Sequence, residues 1–254
     1  MSRDLIIIAN WKMYKTAREA TDFIEHLAPK IEGCKSKVFI AVPFTTIASA
    51  AACAKHVGVA IGAQNMNDAR EGAFTGEIAA LMLKEAGASF VILGHPERRQ
   101  IFGETDELIH RKLLRAIQDD LQPILCVGET LVEREEGKIH EVLKKQIASA
   151  LADVPEKDID KLIIAYEPIW AVSARQTASF KHVQDAHSFC RKCVEELFGK
   201  RKANRVPIIY GGSVNANNVK ELVSQKDVDG VLVGGASLDP DTLSTIVQNC
   251  EGIR

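Results

Sequence analysis

One recurrence restricts the fold more than any other feature of the chain: short, continuous apolar runs rich in Val, Ile and Leu return eight times, separated by segments with helical periodicity. The runs cover residues 5–9, 38–42, 59–63, 90–93, 123–127, 162–166, 207–210 and 230–233. They do not alternate apolar with polar residues, as expected for strands covered on both faces of a parallel sheet. Helical patterns fill the intervals over 16–31, 45–57, 78–86, 105–117, 138–151, 180–198, 216–224 and 239–250. Thr16 and Glu19 have the spacing of a capping box, and Asp239 before Pro240 reads as an N-cap and first helical position. Eight βα units with no Pro/Gly/Ser-rich linker predict an α/β protein, a (β/α)8 barrel forming one domain over residues 1–254. The alternative, a doubly wound open sheet, lacks its Gly-x-Gly-x-x-Gly turn after the first strand.

Composition narrows the partners. Against 34 acidic residues stand 32 basic ones, with no basic run longer than Lys200-Arg201-Lys202, so neither a nucleic-acid footprint nor a polybasic membrane anchor is expected. No apolar run approaches the roughly 20 residues of a membrane span. The five apolar residues after Asp4 are too few for a signal peptide. Cysteines at 34, 53, 126, 190, 193 and 250 are scattered through a chain able to build its own core, which points to a reducing cytosol. Cys190 and Cys193 fall on the helical period of 180–198 and are expected to be core residues rather than a redox or zinc pair.

In such a barrel the residues that follow the strands converge on one mouth. Asn10 and Lys12 follow the first strand, His95 the fourth, Glu167 the sixth, Gly211-Gly212-Ser213 the seventh and Gly234-Gly235 the eighth. Glycines at the last two exits let backbone N–H groups approach a phosphate, although either pair alone would also suit a tight turn. Glu167 ends a buried run and precedes Pro168, a partly dry position suited to a carboxylate base. His95 stands just before Pro96 at the start of a short helix, whose positive end disfavours imidazolium and leaves a neutral ring that donates a hydrogen bond. Lys12 offers a cation to a phosphate or a developing oxyanion. Together these groups describe proton abstraction beside a polarised carbonyl in a phosphorylated sugar, chemistry that requires no metal or organic cofactor.

Several strings in order carry a resemblance: Ala9-Asn10-Trp11-Lys12-Met13, Gly72-Ala73-Phe74-Thr75-Gly76-Glu77, Leu93-Gly94-His95, Glu97-Arg98-Arg99, Ala165-Tyr166-Glu167-Pro168-Ile169-Trp170-Ala171, Tyr210-Gly211-Gly212-Ser213-Val214 and Val233-Gly234-Gly235-Ala236-Ser237-Leu238. Over essentially its whole length the chain resembles the triosephosphate isomerase family. The resemblance implies a cytoplasmic, homodimeric TIM barrel of glycolysis and gluconeogenesis. Its implied reaction interconverts dihydroxyacetone phosphate and D-glyceraldehyde 3-phosphate through an enediol(ate). Glu167 matches the proton-shuttling base, His95 the electrophile, Asn10 and Lys12 the polar clamp, and Ser213, Gly234 and Gly235 the phosphate grip. A glutamate base beside a neutral histidine is this family's established pattern rather than an independent deduction. The 64–77 stretch is long for a βα loop and resembles the family's dimer loop, in which Thr75 enters the partner near Asn10 and Lys12. Its apolar Met66 and Phe74 suit a partner pocket.

Two departures from the family pattern stand out. Pro96 replaces the usual serine, which reaches the resting base. The lid, running from the hinge Pro168-Ile169-Trp170 through Ala171-Val172-Ser173-Ala174-Arg175-Gln176-Thr177-Ala178, has lost both usual glycines, to Ser173 and Arg175. Ser173 can still offer its backbone N–H to phosphate. The altered lid keeps two alternatives open: an isomerase of a four-carbon sugar phosphate such as erythrulose phosphate, or a low-activity dimeric barrel that binds phosphorylated metabolites.

Overall fold

Every apolar run forms a strand in the computed structural model, which describes residues 4–172 and 177–253. The strands are β1 (Ile6–Asn10), β2 (Lys37–Val42), β3 (Val59–Ala63), β4 (Phe90–Leu93), β5 (Gln122–Val127), β6 (Ile163–Tyr166), β7 (Ile208–Tyr210) and β8 (Gly230–Val233). All are parallel and hydrogen-bonded in sequence order, and β8 pairs back to β1, closing a single-domain (β/α)8 barrel. Residues alternate along each strand. Ile6 and Ile8 join Phe90, Ile92 and Ile124 in a cluster filling the ring, whereas Ile7 and Ala9 join the larger core beneath the helices. This two-sided burial is why the strands read as continuous apolar runs.

The helical layer contains α1 (Ala17–Ile31), α2 (Ile47–Ala54), α3 (Ala80–Glu85), α4 (Pro96–Gln100), α5 (Asp106–Gln118), α6 (Leu131–Glu135), α7 (Ile139–Leu151), α8 (Phe180–Ala203), α9 (Val219–Val223) and α10 (Pro240–Cys250). Thr16 and Glu19 form the expected capping box, and Asp239 caps α10 through the Thr242 N–H. The helix expected over 216–224 is shorter because the Asn215 side chain accepts from the N–H groups of Asn217 and Asn218, holding the approach to α9 in a turn. Helix α6 escaped the periodicity reading; one turn long, it starts at a capping box of Thr130 and Glu133. Cys190 and Cys193 are buried in the core along α8, and burial pushes the Cys193 thiol up to about 11, an inert packing role.

A buried polar centre on α8 ties the helices to the N-terminal rim of the barrel. The Arg191 guanidinium donates to both Asp227 and Asp229 and to the carbonyls of Ala203, Val206 and Asp227. Asp229 also accepts from the N–H of Ile208 at the start of β7. One turn earlier, His187 Nδ1 lies 3.2 Å from the Asp227 carbonyl oxygen. Burial pushes this imidazole down to about 4. An unfolded chain binds a proton near the ordinary histidine value of 6.5, which folded His187 refuses until about pH 4. Its contribution to stability is therefore complete above pH 6.5 and is lost as pH falls through the window from 6.5 to 4. Urea unfolding at fixed protomer concentration should show the native chain losing about 1 kcal/mol more between roughly pH 7 and 5.5 than His187→Leu does. Equal losses in the two proteins would contradict a neutral buried imidazole.

Candidate active site

At the C-terminal end of β1 the chain turns sharply over the barrel mouth. Lys12 adopts a positive φ of 50°, and its N–H donates to Asn10 Oδ1 at 3.0 Å. Gln64, just beyond β3, donates its side-chain amide to the carbonyls of Lys12 and Ala41. The turn is thus tied through Gln64 to the C-terminal ends of β2 and β3, and the lysine side chain is aimed rather than free. Its Nζ lies 2.6 Å from Glu97 Oε1, so its charge is balanced by a carboxylate that a bound anion could replace.

His95 is the N-cap of α4, and its Nδ1 accepts from the Glu97 N–H at 3.3 Å. A bare Nδ1 puts the ring proton of a neutral imidazole on Nε2. This hydrogen bond fixes the tautomer directly, which the dipole of so short a helix would do only weakly. Nε2 points at Glu167, 3.4 Å from Oε2.

Glu167 has its side chain almost completely buried, at 1% exposure. Its backbone N–H donates to the Val127 carbonyl, extending the ladder between β6 and β5 by one residue. Two glycines make the seat. A Cβ at Gly128 would strike the Glu167 carbonyl, and a Cβ at Gly211 would strike its side chain at Cγ. From β5 the Cys126 thiol also faces the carboxylate; burial first, then the Glu167 charge, holds that thiol well above its usual range. Glu167 Oε1 has no hydrogen-bond partner among the described residues. Pro96, buried at the first position of α4, offers neither a hydroxyl nor an N–H.

Beside these groups lies a cavity of about 270 Å³ lined by Lys12, His95, Glu167, Ser213, Gly234 and Gly235, with Val172 at its edge. A Cβ at Gly235 would meet nothing within 4 Å, leaving its backbone open to a ligand. At Gly234 the nearest atom would be Lys12 Cε, at 3.6 Å. The expected residues from strands one, four, six, seven and eight therefore share one mouth. Thr75 does not line it. That residue is exposed at the tip of 64–77, a loop closed at its base by Asn67 and Ile78. Met66 corrects the sequence reading: it is 1% exposed and belongs to this subunit's own core, whereas Phe74 is 53% exposed. Of the lid, Pro168 leads into a 3-10 turn over Ile169–Ala171, and Thr177 and Ala178 precede the Ser179 cap of α8. Ser173, Ala174, Arg175 and Gln176 lie outside the described residues.

Glu129 was missed by sequence reasoning, although it follows the fifth strand and the strand-end argument applies to it equally. It is fully buried and accepts from Trp170 Nε1 at 2.7 Å and from the Tyr166 hydroxyl. Burial, partly offset by these donors, raises its carboxyl above the usual range. Among the described residues, no group of three or more His, Cys, Asp or Glu is arranged to hold a metal ion, and no helix is long and apolar enough to cross a membrane.

Residues 5–250 match the family model described as Triosephosphate isomerase. The chain is 48% identical over 247 residues to the triosephosphate isomerase of Protochlamydia amoebophila (strain UWE25), covering 97% of this chain and 94% of that protein. Against the triosephosphate isomerase of Caldanaerobacter subterraneus subsp. tengcongensis, identity is 45% over 242 residues, with 95% and 98% covered. For the same enzyme of Citrifermentans bemidjiense it is 44% over 250 residues, with 98% and 100% covered. The family match runs through all eight strands and every turn that builds the mouth, and on that breadth the chain belongs to the triosephosphate isomerase family.

Proposed function

We propose that this chain interconverts dihydroxyacetone phosphate and D-glyceraldehyde 3-phosphate through an enediol(ate), with Glu167 as the base. The observation that carries the assignment is the 3.4 Å approach of Glu167 Oε2 to His95 Nε2 at the edge of a glycine-lined cavity. A carbonyl and its neighbouring C–H, seated between the two groups, meet a proton acceptor and a hydrogen-bond donor at once. Glu167 takes the carbon-bound proton, the C–H electrons form the C=C bond, and the carbonyl electrons move to oxygen. His95 gives its Nε2 proton to that oxygen and recovers one from the adjacent hydroxyl. Glu167 then returns its proton to the other carbon. Lys12 and Asn10 clamp the developing negative charge, while the backbone at Gly234 and Gly235, with Ser213, grips the phosphate. No cofactor enters this scheme.

The 168–178 segment serves as the lid in this reading, with Trp170 at its first hinge and Ser173 assigned to phosphate binding. Closure would exclude water from an enediolate prone to lose phosphate. We place the enzyme in the cytoplasm, in glycolysis and gluconeogenesis, a location supported by its six free thiols. It works as a homodimer. A second cavity of about 470 Å³, sharing Lys12, His95 and Glu97 with the site, is walled by Met13, Tyr14, Phe44 and Phe102, all four exposed in the isolated chain. An apolar wall of this kind beside a catalytic lysine suits the partner's Phe74 and Thr75.

A coupled assay tests the chemistry. Glu167→Gln should keep the fold and phosphate binding while losing roughly 10²–10⁴-fold in turnover, the usual worth of a general base. His95→Gln should likewise impair proton transfer between the oxygens. Native-like turnover in either variant removes that residue from its role, and preference for a tetrose phosphate would replace the substrate assigned here. Pro96→Ser restores the hydroxyl that the family usually carries in reach of the resting base and should change kcat by about two- to tenfold, the scale of one hydrogen bond. Identical constants would mean that position 96 does not help hold the carboxylate. For the assembly, sedimentation at micromolar concentration should find a dimer that Phe74→Asp weakens together with activity; a fully active monomer would contradict it.

A further inference from the structure

Behind Glu167 lies a chain of polar contacts that the proton-transfer scheme does not use. The Tyr166 hydroxyl is 3.1 Å from both carboxylate oxygens of Glu129 and 2.9 Å from His182 Nε2, on α8. Glu129 in turn holds the segment that begins at the base: its carboxylate accepts from Trp170 Nε1, and its carbonyl accepts from the Ile169 N–H at 3.0 Å. A phenolic hydroxyl has one hydrogen to place and here faces three possible acceptors. If that hydrogen went to His182, the buried Glu129 carboxylate would lose one of its few donors, at a cost that burial makes large. If it goes to Glu129, the Tyr166 oxygen must accept, and His182 Nε2 must carry the proton.

His182 is built for the second arrangement. Its ring lies 5.5 Å from the Trp170 indole, edge to face, while the Arg134 guanidinium stacks 3.6 Å over the other ring system of the pair. The imidazole side chain is 20% exposed, opening on a groove between α7 and α8 where His140, Asp185 and Lys192 also stand. Burial first, then Arg134, lowers its tendency to protonate, against Asp185 on its own helix. A neutral imidazole with Nε2–H is therefore the form that meets Tyr166.

We propose that His182 is a positioning residue of the active site: its Nε2–H donates to the Tyr166 oxygen, commits the Tyr166 hydrogen to Glu129, and so fixes Trp170 and Ile169 behind the base. The inference rests on the reading of Glu167 as that base. It predicts an effect on turnover with little on ground-state binding, because none of these groups lines the phosphate cavity.

The test compares His182→Phe, which keeps an aromatic ring but no N–H, with His182→Gln, whose amide can donate to Tyr166. The chain has two tryptophans, so 5-fluorotryptophan labelling gives two ¹⁹F resonances that report on Trp11 and Trp170. His182→Phe should lower kcat by roughly three- to tenfold, the worth of about one hydrogen bond, with KM within about twofold. The Trp170 resonance should shift while that of the buried Trp11 stays, and His182→Gln should restore both readouts. In a Tyr166→Phe background the His182→Phe change should add nothing, since the path runs through the hydroxyl. An unmoved Trp170 resonance with native kcat in His182→Phe overturns the proposal, as does a His182→Gln variant no better than His182→Phe. If the native chain lacked triose phosphate activity while Trp170 still responded, the functional reading would fail and the contact path would stand.

Discussion

Four residue pairs, from Ile6 with Gly230 to Ala9 with Val233, join β8 to β1 and turn a sheet into a ring; the arrangement of the mouth depends on that seam. Only glycine fits at its lower end, since Gly230 has a φ of 153° and a Cβ there would strike the Ile6 carbonyl. Closure sets the end of the first strand beside the exit of the eighth. Lys12 and Gly234, far apart in sequence, thereby become neighbours, with the lysine stem against the glycine turn. In an open sheet β1 and β8 would lie at opposite edges, and no cation would stand beside the backbone amides at Gly234 and Gly235.

The same close packing decides the character of Glu167. Glycines at 128 and 211 let neighbouring backbone come so near that the carboxylate is almost wholly buried, with His95, Cys126 and the small cavity beside it. Among the described residues one of its oxygens has no donor, a deficiency that ordinarily costs a protein about 1–3 kcal/mol. Natural proteins tolerate such breaches of polar satisfaction chiefly at working sites. Lys12, instead, is kept neutralised by Glu97 until an anion competes for it. The site thus holds an unsatisfied acceptor and a replaceable ion pair on either side of one histidine whose tautomer is fixed from behind.

What was legible in the sequence follows from which forces leave a local trace. Strands buried on both faces write themselves as apolar runs, and several of them stop at or just before a polar residue that enters the mouth, which is why Asn10, His95 and Glu167 could be named in advance. Capping residues such as Thr16 and Asp239 act within one turn and are equally visible. Contacts closed by the tertiary fold leave no such mark. Nothing local says that Met66 turns inward while Phe74 stays out, that Glu97 folds back 85 positions to Lys12, or that Gly211 is small to make room for Glu167. Glu129 occupies an intermediate place: its position after β5 was visible, but its inward turn towards Trp170 depends on the residues that surround it.

The central claim is that a single carboxylate moves a proton between adjacent carbons of a triose phosphate, and solvent isotope reports on that step. Conversion of D-glyceraldehyde 3-phosphate to dihydroxyacetone phosphate in D₂O, followed by proton NMR, should place deuterium from solvent on one face of the product's C1. Some of the substrate's own hydrogen is carried across as well. An acidic group on one side of an enediol(ate) can exchange with water and delivers only from that side. A product that keeps all of the substrate's hydrogen and takes up none from solvent would mean direct hydride migration. Equal labelling of both faces would mean an intermediate released to water. Either result would contradict the role given to Glu167.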